Sequence, residues 1–218
     1  MLARVSARAT IHPMATPTSA PLLHVLTAHG DTGRAIRIAS VLFVTVLTAA
    51  AAQVSFPLPF TQVPFTFQPM VVLLGGLALG SRLGCASQVL YLVAGLIGLP
   101  VFAASATLPP GPLRLLGPTG GYLMAYPLAA FVTGYLAERG FDRRYLTSVL
   151  AMLAGLFVVY AFGVTWLALF ARTVSTSAAV GFGAALLTGV YPFLVPDLVK
   201  VAAAAGIVPS VWRLIGSR

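Results

Sequence analysis

An aspartate and a lysine three residues apart stand out because both lie inside an otherwise apolar stretch. Asp197 is one of four acidic residues in the chain, and Lys200 is the only lysine. An ionisable side chain in membrane hydrocarbon costs about 2.5 to 3.5 kcal/mol on insertion scales, so such residues persist mainly where they face a cavity or a partner. Their spacing places both groups on one helix face, where they offer one hydrogen-bond acceptor and one donor. The pair therefore indicates a cavity or a partner within the membrane.

The composition around this pair is that of an integral membrane protein. Hydrophobic residues make up 59% of the 218 residues and charged residues 8%, whereas soluble domains carry about 25% charged residues. The net charge of +9 comes from basic residues scattered singly among apolar runs, so we expect a lipid bilayer and no nucleic acid as partner. Cys85 is the only cysteine, and no residue set has metal-ligand spacing, so we expect no disulfide and no metal.

Apolar stretches predict an all-α fold with six transmembrane helices, since about 20 apolar residues cross the hydrocarbon as a helix. Residues 1–35 lack a long apolar run and are predicted to be a disordered N-terminal tail; a cytoplasmic tail is favoured over a targeting peptide. Residues 36–218 form the predicted six-helix membrane domain. A piece at 178–190 is too short to cross and is predicted to be interfacial or re-entrant. The spans are expected at 38–54, up to 80, 83–100, from about 117, within 145–170, and from about 192, with Pro192 and Pro196 in the first turn of the last.

The arginines predict the orientation of these spans. Six spans place both termini on one side, where ten arginines fall, while only Arg114 and Arg172 fall on the other. By the positive-inside rule both termini are cytoplasmic, and two long proline-rich loops, 55–69 and 103–118, face outward. The first loop is either a lid over a cavity or a segment lying in the membrane interface. A cavity under these loops, with the acidic and basic pair at its floor, suits a small molecule with an apolar body and polar ends.

Four separated motifs resemble the BioY family, whose members are biotin-binding substrate-capture (S) subunits of energy-coupling factor (ECF) transporters. The resemblance covers roughly residues 36–208. It implies an S-component-like fold, high-affinity capture and uptake of biotin, and a multi-pass location in the bacterial cell (inner) membrane. It also implies an ECF transmembrane coupling subunit and two ATPase subunits as partners, which hydrolyse the ATP; no cofactor is expected. The motifs are 57–68 (PLPFTQVPFTFQ), 98–102 (GLPVF), 117–122 (GPTGGY) and 196–200 (PDLVK).

The resemblance places the family's acidic and basic pair on Asp197 and Lys200. We expect Asp197 to accept a hydrogen bond from a ureido N–H and Lys200 to donate to a ligand oxygen, with the end of biotin that each meets left open. The chain departs from the family pattern at Pro196, where many relatives have glycine, and at residues 103–107 (AASAT), which in relatives are often glycine-rich or carry a polar ligand residue. Further substrate-binding candidates are Gln68, Tyr91, Thr119, Tyr122 and, for a carboxylate, Arg114.

Alternatives to this function stay open at this point. A self-sufficient secondary biotin transporter would use Asp197 to carry a coupling proton, but no inverted repeat is evident. An S component for another vitamin would keep the fold and change the ligand. An intramembrane enzyme would need a catalytic set, which the spans lack. The chain has no P-loop motif for ATP, so a partner contact is expected. Small residues of the first helix either form this contact or pack within the protein: Ala35, Ala39, Thr45 and Ala49.

Overall fold

A computed structural model describes residues 21–23, 30–104, 108–109, 111–170 and 180–216. The described chain is mostly helical, as predicted, with one short hairpin. The strands of this hairpin, β1 (Ser55–Phe56) and β2 (Phe65–Thr66), pair antiparallel. The helices are α1 (Gly30–Gln53), α2 (Gln68–Leu79), α3 (Ser81–Leu96), α4 (Leu113–Leu116), α5 (Gly120–Leu136), α6 (Tyr145–Leu169), α7 (Phe182–Gly189), α8 (Tyr191–Ala204) and α9 (Ile207–Gly216), with a π-helical turn at Ala137–Phe141.

Within the described residues, three segments are long and apolar enough to cross a membrane. They are Gly33–Gln53, Tyr145–Leu169 and Tyr191–Ile215, the last of which joins α8 and α9. The other predicted spans are shorter, with 12 residues in α2, 16 in α3 and 17 in α5. Because a helix rises about 1.5 Å per residue, α2 extends only about 18 Å. The count of six crossings therefore stays a prediction.

A tight turn at Gly80 explains why α2 and α3 are short. Gly80 alone separates the two helices and has φ +83° and ψ 178°, a conformation that glycine adopts without a Cβ penalty. Gly134 of α5 lies against the backbone of this turn, where an added Cβ would collide with Gly80. The glycines thus let α5 approach the corner between α2 and α3 more closely than any larger residue would.

Helix α5 packs against α2, α3 and α6, and the largest buried cluster surrounds it. Fully buried members include Leu73 of α2, Ala129 of α5 and Met152 of α6. The outward faces are also apolar, with Phe43 66% exposed and Phe157 72% exposed. Large exposed apolar surface is rare on soluble proteins and is typical of helices that face lipid.

Two details at the ends of helices differ from the prediction. Pro192 lies in the first turn of α8 as expected, but Pro196 lies inside that helix, because α8 begins at Tyr191 and not closer to Pro196. Helix α1 begins at Gly30, within the predicted tail. Most of that tail lies outside the described residues, so the domain boundary stays a prediction.

The connection between α5 and α6 is predicted only as a charged turn, yet its acidic residues make specific bonds. Glu138 Oε1 accepts hydrogen bonds from the backbone N–H and the hydroxyl of Ser81 at 2.8 and 2.7 Å, at the start of α3. Asp142 is fully buried, and its Oδ2 accepts from Trp212 Nε1 of α9 at 2.7 Å. Burial raises the pKa of Asp142, although Trp212 and Arg143 act to lower it. This connection therefore fixes α3 and α9 to the same end of the bundle.

Candidate ligand-binding cavity

A cavity of about 680 Å³ lies between the proline-rich loops and helices α5, α6 and α8. Its volume falls within the range of about 300 to 1,000 Å³ that is typical of small-molecule sites. Apolar and aromatic side chains supply much of the wall, including Phe102, Tyr126 and Phe193. The cavity can therefore enclose a small ligand with an apolar body.

Helix α8 places the predicted acidic and basic pair in this cavity. Asp197 is 5% exposed and Lys200 is 7% exposed, and Lys200 Nζ donates to Asp197 Oδ1 at 2.7 Å. The same ammonium donates to the backbone carbonyl of Thr66 at 2.7 Å and lies 3.7 Å from the centre of the Phe65 ring. Lys200 thus joins α8 to strand β2, a role that the sequence pattern does not reveal.

Tyr160 of α6 is a second hydrogen-bond partner of the Asp197 carboxylate. Its hydroxyl donates to Asp197 Oδ2 at 2.7 Å, and its side chain lines the cavity. The sequence prediction missed this residue. A signal was present, because the hydroxyl of a tyrosine inside an apolar span needs a hydrogen-bond partner and Asp197 is the acidic residue within the spans.

Gln68 and Tyr91, both predicted site residues, form a buried hydrogen bond. Gln68 is 2% exposed and lines the cavity, and its Nε2 donates to the Tyr91 hydroxyl at 2.6 Å. Tyr91 is fully buried behind the wall and donates to the carbonyl of Val101 at 3.2 Å. Tyr91 therefore holds the Gln68 amide in position and does not itself reach the cavity.

The remaining predicted residues line the cavity from the second loop and α5. Arg114 is buried, and its Nε and Nη1 donate to the carbonyls of Pro109 at 3.1 Å and Ala103 at 2.7 Å. Thr119 lies just before α5 and lines the wall. The Tyr122 hydroxyl donates to the carbonyl of Gly189 at 2.9 Å, which ties α5 to α7. Of the seven predicted residues, the structure thus brings six to the cavity and places Tyr91 behind it.

The first proline-rich loop forms one wall of this cavity. Pro57, Thr61 and Val63 line it, and the Thr61 hydroxyl donates to the carbonyl of Thr188 in α7 at 2.7 Å. The loop is therefore held against α7 at its tip and against α8 through Lys200. This placement favours the lid interpretation over a loop lying in the membrane interface.

The glycines of the motif at residues 117–122 serve packing between segments of the protein. A Cβ at Gly121 would collide with the side chain of Trp166, and one at Gly120 would collide with the carbonyl of Leu115. Trp166 Nε1 also donates to the carbonyl of Gly117 at 2.9 Å. The motif thus positions Thr119 and the start of α5 at the cavity wall.

The charges in the cavity do not balance. Arg114 and Lys200 are positive and Asp197 is negative, and the other described lining residues are neutral. The excess of one positive charge favours a ligand with a single negative charge, because interactions between charges strengthen as water is excluded.

Comparison with known proteins gives consistent results. A family model described as the BioY family matches residues 22–217. The probable biotin transporter BioY of Pyrococcus horikoshii is 44% identical over 163 residues, 75% of this chain and 87% of that protein. The biotin transporter BioY of Thermotoga maritima is 37% identical over 161 residues, 74% of this chain and 86% of that protein. A crystal structure of the S-component for biotin from an ECF-type ABC transporter has the same fold, with a TM-score of 0.72, 23% identity, and coverage of 85% of this chain and 95% of that one.

Proposed function

The chain belongs to the BioY family, and from this we propose that it captures biotin as the substrate-binding membrane subunit of an ECF-type ABC transporter. The observation that carries the proposal is the cavity, with a buried acidic and basic pair at one side and an arginine among its other lining residues. Biotin has a neutral cyclic urea at one end, an apolar thioether ring fused to it, and an aliphatic chain that ends in a carboxylate. Each part matches a chemical feature of the wall.

We assign the cyclic urea to Asp197 and Lys200. An ammonium has three N–H donors, and two of them are used by Asp197 and the Thr66 carbonyl, which leaves the third for the ureido oxygen. A carboxylate offers about four lone-pair sites. Lys200 and Tyr160 occupy two of these, so Asp197 keeps the capacity to accept a ureido N–H.

We assign the carboxylate of biotin to Arg114. A guanidinium presents several N–H donors in a planar fork and suits a carboxylate, and this residue lines the cavity while its Nε and Nη1 hold the loop. Gln68, Thr119 and Tyr122 supply neutral polar groups along the wall. The apolar thioether ring and the aliphatic chain then contact the aromatic side chains between the two polar ends.

We propose that six helices or helix pairs cross the bacterial cell (inner) membrane, with both termini cytoplasmic and the cavity on the outer side. The transmembrane coupling subunit, which links the protein to the ATPase subunits, would bind the membrane-exposed surface of α1. This helix is the least buried of the three long apolar segments. Of its most apolar 18 residues 17% are buried, compared with 44% for α6 and 39% for the segment α8–α9. On α1, Ala35 and Ala39 are exposed, whereas the Thr45 hydroxyl donates inward to the Ser87 carbonyl at 2.9 Å. Only the first part of the small-residue stretch is thus available for a partner.

Equilibrium binding of biotin to the purified protein tests the proposal. We expect the parent to bind biotin, and Asp197→Asn and Lys200→Ala each to weaken binding by about a hundredfold or more, since losing one member of a buried charge pair costs several kcal/mol. Ser210→Ala, which removes an exposed hydroxyl from the same final span, is the control with unchanged affinity. If the unmodified protein does not bind biotin and binds another vitamin, the ligand assignment is wrong.

A second measurement separates a capture subunit from a self-sufficient transporter. Uptake of labelled biotin is followed in vesicles that contain the protein alone or together with the coupling and ATPase subunits. We expect sustained uptake only with the partners and ATP. Concentrative uptake by the chain alone, driven by a proton gradient, would support the secondary transporter instead.

A further inference from the structure

The hydroxyl of Tyr160 donates to one carboxylate oxygen of Asp197, and Lys200 donates to the other. The tyrosine hydroxyl lies 2.7 Å from Asp197 Oδ2, and Lys200 Nζ lies 2.7 Å from Oδ1. All three side chains line the same cavity. Both oxygens of Asp197 therefore already accept one hydrogen bond before a ligand binds. Each oxygen keeps a lone pair that can accept one more N–H.

This arrangement distinguishes between two classes of N–H ligand. A guanidinium or amidinium binds a carboxylate best through two parallel N–H···O bonds, one to each oxygen. Here such a fork would have to displace the Tyr160 hydroxyl from Oδ2, and it would bring a second positive charge beside Lys200. A neutral cyclic urea donates one N–H toward the carboxylate and presents an acceptor oxygen, so it needs no displacement.

We propose that Tyr160 is a specificity-determining residue, which makes Asp197 accept a neutral cyclic urea and disfavour the corresponding cationic cyclic guanidine. This inference rests on the proposed function, because it concerns the same subsite. Tyr160 acts through Asp197, by keeping Oδ2 occupied and by orienting the carboxylate toward the cavity.

Tyr145 provides a control for a purely structural role of the Tyr160 hydroxyl. Tyr145 also lies on α6 and also bonds to α8, with its hydroxyl 3.0 Å from the carbonyl of Ala202. Tyr145 is 42% exposed and is not among the residues that line the cavity. Removing either hydroxyl thus removes one bond between α6 and α8, but only Tyr160→Phe changes the carboxylate at the site.

The experiment compares biotin with iminobiotin, which carries a cyclic guanidine in place of the cyclic urea and is otherwise the same. Affinities of both ligands are measured at neutral pH, where the guanidine is cationic, for the parent, Tyr160→Phe and Tyr145→Phe. We expect the parent to prefer biotin. We expect the ratio of the two affinities to fall by about tenfold in Tyr160→Phe, since one charge-assisted contact is gained and one hydrogen bond is lost. The ratio in Tyr145→Phe should stay within about twofold of the parent, the size of a weak surface effect.

The possible results are distinguishable from a failure of the proposed function. If the parent binds biotin and Tyr160→Phe weakens both ligands by the same factor, the selectivity role is overturned and capture of biotin stands. If Tyr145→Phe changes the ratio as much as Tyr160→Phe does, the hydroxyl acts only by tethering helices. If the parent binds neither ligand, both proposals fail. Thermal unfolding in detergent checks each variant, and Tyr160→Met serves as the second apolar replacement, with the same expected fall in the ratio, if Tyr160→Phe does not fold.

Discussion

Removing the ammonium of Lys200 should destabilise the protein even without ligand. In Lys200→Met the apolar stem is kept, but three contacts of the ammonium disappear: the ion pair with Asp197 at 2.7 Å, the bond to the Thr66 carbonyl at 2.7 Å, and the contact with the Phe65 ring at 3.7 Å. The bond from Tyr160 to the carboxylate remains. The variant therefore leaves a buried carboxylate with one strong partner fewer.

The expected loss follows from the burial of the pair. Breaking a buried ion pair by removing one partner costs about 3 to 5 kcal/mol, because the other charge is left without compensation. The lost cation–π contact adds about 0.5 to 2 kcal/mol, although part of this overlaps with the first figure. We expect the free energy of unfolding to fall by about 3 to 5 kcal/mol in total.

The measurement is reversible denaturation in detergent micelles, with Asp197→Asn combined with Lys200→Met as the matched variant. Replacing both members of a buried pair is often close to neutral, so the double variant should recover most of the loss. Hydrogen exchange should also show faster exchange in residues 55–66 of Lys200→Met, since the tie between β2 and α8 is gone. A single variant within about 1 kcal/mol of the parent, the scale of an exposed ion pair, would refute the assignment of a buried, energetically coupled pair.

Three further changes test other contacts. Trp212→Phe removes the indole donor to Asp142 and should lower the unfolding free energy by about 1 to 3 kcal/mol. Burial raises the pKa of Asp142, so its ionisation costs native stability as pH rises through that pKa; the deficit of Trp212→Phe in pH-dependent unfolding should therefore be larger at neutral than at acidic pH. Gly134→Ala should cost about 1 to 3 kcal/mol in thermal unfolding because its Cβ meets the backbone of the turn after α2, whereas Gly183→Ala has open space and should cost far less. Tyr91→Phe should weaken biotin binding several-fold by calorimetry, since the amide that its hydroxyl holds at the cavity wall becomes free to rotate.

That Asp197 and Lys200 face a cavity could be predicted from the sequence, because ionisable side chains persist in an apolar span mainly where they face a cavity or a partner. Both side chains line the cavity, and their role in ligand binding stays a prediction. The sequence did not predict that Lys200 would hold β2, because that contact joins residues that are far apart along the chain. Tyr160 could have been singled out as a tyrosine inside an apolar span, but its bond to Asp197 also joins residues that are far apart along the chain.

Span lengths were the weakest part of the prediction. The end of α2 agrees with the predicted span up to residue 80, but hydropathy does not show that Gly80 alone forms the turn before α3 or that Gly134 packs against it. The short polar sequence around Asp142 does not indicate a specific bond, because the partner Trp212 belongs to the last helix. In both cases the missing information was tertiary: one close helix contact and one long-range hydrogen bond.

The bonding of Asp197 and Lys200 to each other has an energetic consequence for an unloaded protein. Their charges cancel, and each has a further partner, the Tyr160 hydroxyl for Asp197 and the Thr66 carbonyl for Lys200, so neither charge of the pair is left uncompensated when no ligand is bound. A ligand that uses the third N–H of Lys200 and a free lone pair of Asp197 adds its own hydrogen bonds without breaking these. Asp197, Lys200 and Tyr160 then decide which polar end of a ligand is accepted, while burial of the ligand's apolar part against the aromatic side chains of the cavity adds to the affinity.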